Sequence, residues 1–265
     1  MKKSELKQEL DETKKEVKTL RREINKLRGR WKYFDKAAKI VAFVAWTYIA
    51  WQIAQYGVGY AMIFALGYSR YSEPFWLTIT YLLTYSLTIL LIVYVPKFIH
   101  KIFKTNKKEL GLTEMPTFTD IGIALLGYVA TFILAAIVIS ILGGMGIINA
   151  SEQQEIGFHN LVNGSDRALA YVAIAVIAPI AEEVIFRGWL YGKLRKELKM
   201  VPAIIIVSVF FGFLHGQLSA GISVGILSVI MCLEREITGT IHAGIITHMI
   251  QNSLAFAILI AQGRL

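Results

Sequence analysis

Apolar or nearly apolar residues across positions 2–35 recur at alternating steps of four and three: Leu6, Leu10, Thr13, Val17, Leu20, Ile24, Leu27, Trp31 and Phe34. This is a heptad seam, with Val17 and Ile24 at a and Leu6, Leu20 and Leu27 at d, the arrangement that favours parallel two-stranded coiled coils. Glu9, Glu16 and Glu23 fall at g, and Lys14, Arg21 and Arg28 at the following e positions. Each g–e′ contact of an in-register pair would join opposite charges. The pattern predicts a cytoplasmic rod forming a parallel homodimer through residues 6–34. A single basic amphipathic helix on the inner leaflet is the other reading, because Trp31, Tyr33 and Phe34 suit an interfacial belt.

After the heptads the pattern changes to apolar runs of membrane-spanning length. They cover about 37–56, with apolar sequence on to residue 68, then 75–95, 120–142, 167–199, a segment after Pro202, 219–233 and 238–261. The expected fold is all-α: a polytopic membrane helix bundle of about 7–8 transmembrane helices behind an N-terminal cytoplasmic coiled-coil helix. Three parts are expected: the coiled-coil or amphipathic helix 1–36, N-terminal transmembrane helices 37–118, and a transmembrane core 119–265.

Composition supports this reading, since 55% of the 265 residues are hydrophobic, which excludes a soluble enzyme. The net charge of +9 does not point to nucleic acid, because the first 39 residues hold 14 Lys+Arg against 7 Asp+Glu. Together with Lys97–Lys108, this charge marks cytoplasmic flanks and contact with anionic lipid. The connection 143–166, with Glu152, Glu155 and Asp166, is then expected outside. No cleavable signal peptide is visible, so the first span is expected to act as its own insertion signal in the cell membrane. Cys232 is the single cysteine, which excludes an intrachain disulfide and a paired-cysteine metal site.

Ionisable residues interrupt the apolar runs at few places, and such residues mark function. In Ala178-Pro179-Ile180-Ala181-Glu182-Glu183-Val184-Ile185-Phe186-Arg187, Glu183 and Arg187 lie one helical turn apart and can pair. Glu182 points about 100° away and is left for chemistry. Pro179 is expected to kink the helix one turn earlier. Counting 1.5 Å per residue, Glu182 lies roughly 16–25 Å from the cytoplasmic charges, His215 roughly 20 Å, and His248 with Asn252 roughly 15–21 Å. Similar depth on three helices is what one buried polar site requires. The triplet Glu234-Arg235-Glu236 reads as the charged end of a span, and His100 and His159 as surface residues.

Three patches carry a family resemblance: Glu182-Glu183-x-x-x-Arg187, Phe211-x-x-x-His215 and His248-x-x-x-Asn252, with Gly239–Thr247 leading into the last. In this order on apolar helices they resemble the CPBP, or Abi, family, which contains the type II CAAX prenyl endopeptidases. The resemblance covers about residues 120–260 and departs at His242, where an aromatic residue is usual. It implies that 119–265 is a catalytic core.

The resemblance implies an intramembrane endopeptidase acting near the C-terminus of a prenylated CAAX-type protein or a membrane-associated peptide. Glu182 is the candidate base for a water, and His215 its second holder or the acid for the leaving amine. His248 and Asn252 are candidate oxyanion donors. Glu183 and Arg187 support the helix, and Arg187 and Phe211 are candidate substrate contacts. No cofactor is required, although zinc on Glu182, His215 and His248 is the rival arrangement. Membrane lipid and a lipidated substrate are the expected partners, and nucleic acid is not. From a different class, the chain reads as a non-proteolytic adaptor or immunity protein that dimerises and binds a partner through its coiled coil. A proton-coupled transporter is a third reading, opposed by the lack of an internal repeat.

Overall fold

A computed structural model describes the backbone of residues 3–99, 101–149, 158, 161 and 163–263. Side chains are described from residue 14 onward within those ranges, apart from those of 97, 99 and 101. His100, His159, Glu152 and Glu155, and the seam side chains of Leu6, Glu9, Leu10 and Thr13, lie outside the described residues. Contacts divide the chain into two units, 1–42 and 43–265.

The first unit is helical from Lys3 onward, as the opening of α1 (Lys3–Leu66). Its described heptad residues Val17, Leu20, Ile24 and Leu27 are all exposed. Asp35 and Lys39 pair across one turn at 2.7 Å. In the second unit α1 runs without a break to Leu66, so the apolar stretch after Gly57 continues the first helix. Gly67, in the left-handed region at φ 74°, ends it, and a short turn, Tyr68–Tyr71, follows.

Six longer helices follow among the described residues, with short helical turns at Pro96–Ile99, Lys101–Phe103 and Lys107–Leu110 between the first two of them. α2 (Pro74–Tyr94) starts with proline in its first turn, where the missing N–H costs nothing. α3 (Phe118–Gly144) opens on a capping box between Thr117 and Asp120. Its buried residues Asp120, Ala124, Gly127 and Thr131 recur at steps of four, three and four, one stripe turned inward. α4 (Gly164–Glu197) is capped by Asn163, which accepts from the Asp166 N–H at 2.8 Å. α5 (Met200–Phe213), α6 (Leu218–Thr238) and α7 (His242–Ala261) follow.

Among the described residues six helices are long and apolar enough to cross a membrane: α1 to α4, α6 and α7. The chain is therefore an integral membrane protein of the all-α class. Against the expected seven or eight spans, α5 has 14 residues, about 21 Å of helix, less than a hydrocarbon core of about 30 Å. It packs closely on α6: a Cβ on Gly212 would meet the Gly221 carbonyl oxygen at 2.4 Å. Bare backbones at this crossing fix where the α5–α6 turn places His215.

Candidate active site

α4 supplies the carboxylates, and its backbone is irregular around them. Around Pro179 it takes wide, π-helical turns at Val172–Ile177 and Glu183–Tyr191, on either side of a regular turn, Ala178–Glu182. The Ala178 N–H donates to the Ala173 carbonyl, a five-residue step. The next donor in that register is residue 179, and proline has no N–H. Asn252 of α7 takes its place, with Nδ2 donating to the Ile174 carbonyl at 2.9 Å. One amide hydrogen of Asn252 is thus committed, which orients the second.

Glu183 and Arg187 pair at 2.8 Å with no exposed side-chain surface on either. An unpaired charge at that depth costs several kcal/mol, roughly 3–5, so the two residues stand or fall together. Glu183 Oε2 lies against Gly244, where a Cβ would come within 2.8 Å, so α7 can approach this carboxylate only with a glycine there. The Arg187 guanidinium lies 4.5 Å from the Phe211 ring centre, within cation–π range. Arg187 does not line the cavity described below. A fully buried guanidinium does not fit the expected contact with a substrate carboxylate; the pairing with Glu183 is what its position provides.

Glu182 faces elsewhere and keeps 13% of its side-chain surface exposed. Its Oε1 accepts a hydrogen bond from Tyr85 Oη at 2.5 Å, and its Oε2 lies 3.7 Å from His248 Nε2. His248 is nearly buried, with Nδ1 3.3 Å from Glu183 Oε1, so the imidazole stands between the two carboxylates. His215 lies in the turn after α5, its Nδ1 2.8 Å from the Phe211 carbonyl. A carbonyl only accepts, so Nδ1 carries the hydrogen, and the neutral ring keeps a lone pair at Nε2. The Phe211 ring touches both imidazoles, at 4.9 Å from His215 and 5.9 Å from His248 between ring centres.

Glu182, His215, His248 and Asn252 all line one cavity of about 490 Å³, with Phe211, Trp51 and Tyr85 in its wall. For the zinc arrangement, the ring nitrogens left after these contacts are Nε2 of His215 and Nε2 of His248, the latter 3.7 Å from Glu182 Oε2. Among the described residues no three His, Cys, Asp or Glu side chains are grouped to hold a metal ion.

Three features were not read from the sequence. Tyr85 reaches Glu182 from 97 positions away, in a helix where tyrosine is ordinary membrane composition. Glu234 is 2% exposed, not a solvated helix end, and Thr247 Oγ1 lies 2.6 Å from its Oε1. A Cβ on Gly127 would collide with that carboxylate, so α3 leaves a notch for it. Arg235 donates to the carbonyls of Arg187 and of Glu109, tying α6 to α4. Of the triplet, Glu236 behaves as expected of a helix end, pairing with Arg195 at 2.7 Å.

The fold and cavity define a polytopic helical membrane protein with a buried carboxylate–imidazole–amide site. Residues 164–254 match the family model described as Type II CAAX prenyl endopeptidase Rce1-like, and the chain carries a domain of that CPBP/Abi peptidase family there. The match begins at α4 and ends within α7, containing all three patches, while α1, α2 and α3 lie outside it. No curated protein and no solved structure matches the chain.

Proposed function

We propose that the chain is an intramembrane endopeptidase cleaving near the C-terminus of a prenylated CAAX-type protein or a membrane-associated peptide, with Glu182 activating the water. The observation that carries this reading is the convergence of Glu182, His215, His248 and Asn252 on one cavity. Glu182 takes a proton from the water at Oε2, and the hydroxide adds to the scissile carbonyl. The second Asn252 N–H meets the developing oxyanion, with His248 Nε2 as a further donor when both ring nitrogens carry hydrogen, in a site where the groups are already fixed by other bonds. The proton returns to the leaving amine from Glu182, or through Nε2 of His215. Glu183 and Arg187 hold α4 and the His248 ring in place.

The basic flanks support a cytoplasmic N-terminus and substrate entry from that side, with α5 as a seventh, partial membrane element. The exposed seam of Val17, Leu20, Ile24 and Leu27 favours a parallel homodimer, and it is the observation behind the second reading, a coiled-coil adaptor without proteolysis.

The test is cleavage of prenylated and unmodified C-terminal peptides by the purified protein, with and without a strong chelator. Cleavage that survives chelation and favours prenylated peptides supports the proposal. Chelator-sensitive cleavage would overturn the metal-free chemistry, and no cleavage of any peptide would favour the adaptor.

A further inference from the structure

The candidate base is held from a helix that the family match does not include. Glu182 sits in α4, and its neighbour Glu183 is turned away and occupied by Arg187. Tyr85, in α2, gives Glu182 Oε1 its hydrogen bond and is 7% exposed. The phenol is itself fixed. Trp51 of α1 packs edge-on to the Tyr85 ring with centres 5.2 Å apart, and Tyr81 lies 6.2 Å away on the same helix. Beside them Thr88 is fully buried, and its hydroxyl donates to the Thr84 carbonyl at 2.8 Å. All three aromatic rings line the cavity.

We infer that Tyr85 is a positioning residue for the base: by occupying Oε1 it fixes the Glu182 rotamer and presents Oε2 to the wall formed by His248 and Asn252. A carboxylate has two equivalent oxygens and a freely turning terminal torsion, so without the phenol it would spread over orientations that point away from the water. Misplacing a catalytic group by about 1 Å costs on the order of 10²-fold in rate. The effect therefore belongs in turnover and not in substrate binding. This inference rests on the endopeptidase reading and extends it to a residue outside the three patches.

The experiment uses full-length protein in proteoliposomes on one cleaved peptide, comparing wild type, Glu182→Ala, Tyr85→Phe and Tyr85→4-aminophenylalanine. Tyr85→Phe keeps the ring and its packing and removes only the donor. The expected result is a kcat lower by about 10–100-fold with KM within about twofold. The 4-aminophenylalanine variant, which restores an N–H donor at the same place, should recover most of the loss. A Tyr85→Phe protein with wild-type kcat overturns the inference, as does a loss confined to KM or one that the amino variant fails to restore. With active wild type and dead Glu182→Ala, those outcomes remove this inference alone. An inert wild type or an active Glu182→Ala removes the endopeptidase reading, and this inference with it.

Discussion

Residues 14–34 and the cavity region reverse the usual arrangement of polar and apolar groups in opposite ways. Along the N-terminal helix the apolar seam is in the open, with Leu20 56% exposed, while in the bundle Glu183 and Arg187 have no exposed side-chain surface. The two cases differ in what balances the cost. Each buried charge has an opposite partner 2.8 Å away, whereas Val17, Leu20, Ile24 and Leu27 stay exposed on the helix that carries them. Exposed apolar residues on α3, such as Leu126 and Phe132, do not compare, because they lie on a helix of membrane-spanning length where lipid is the solvent. A leucine stripe flanked by Glu and Lys needs another helix or a membrane surface, whereas the buried ion pair has its partner in the same helix, with the His248 imidazole and the Phe211 ring against it.

The sharpest way to break this contrast is to remove one member of the buried pair. Arg187→Leu takes the guanidinium from Glu183 and leaves it only the His248 imidazole at 3.3 Å, and stability should fall by about 3–5 kcal/mol, read as a large drop in thermal midpoint. The double change Glu183→Leu with Arg187→Leu should recover much of it, since no uncompensated charge remains. A smaller loss in the single variant than in the double would contradict the account of this pair.

Pro179 offers an effect on activity without one on stability. In Pro179→Ala the new N–H can bond the Ile174 carbonyl and displace Asn252. Cleavage should fall toward the roughly 10²–10³-fold loss of a missing oxyanion donor. Thermal stability should hold or rise, because alanine is the better residue inside a helix.

For the open seam the measurement is crosslinking. Leu20→Cys in a Cys232→Ala background should give a disulfide-linked homodimer in membranes if the parallel register forms. Monomer alone would favour a helix lying on the membrane surface.

The smallest effect belongs to Glu109, outside the spans, which pairs with Lys196 at 2.7 Å and with Lys193 at 3.6 Å. Burial pushes its carboxyl up, but the Lys196 hydrogen bond and the two lysine charges outweigh this and hold it below the ordinary value of 4.5. A carboxyl lowered by folding stabilises above its unfolded pKa, and that contribution fades as pH falls through the folded value. Glu109→Gln should therefore cost under about 1 kcal/mol at neutral pH and nothing in strong acid, as denaturant titrations at both pH values would register.

Much of the site was legible because its signals are local or periodic. The four-residue spacing of Glu183 and Arg187 anticipates their pair, and helical rise alone brings Glu182, His215, His248 and Asn252 to one depth. Tyr85 was not legible, since its contact depends on how α2 packs on α4, and nothing in a tyrosine-bearing apolar helix marks one tyrosine. Glu234 was misread for the opposite reason. Three charged residues in a row look like a helix end, and only the notch at Gly127 and the hydroxyl of Thr247 give one of them a place inside. The length of α1 was open at Gly57 and Gly59, and the chain resolves it by delaying the break to Gly67, where the backbone takes a left-handed turn.

The central claim, that chemistry resides in the cavity lined by Glu182 and not in the exposed seam, is tested most directly by measuring peptide cleavage in two variants side by side. One is Glu182→Ala in the full chain, and the other lacks residues 1–35. The account predicts that the point change abolishes cleavage, a loss of about 10²–10⁴-fold, while the truncated protein keeps a substantial part of it. Cleavage that survives Glu182→Ala and vanishes with the N-terminal helix would contradict it.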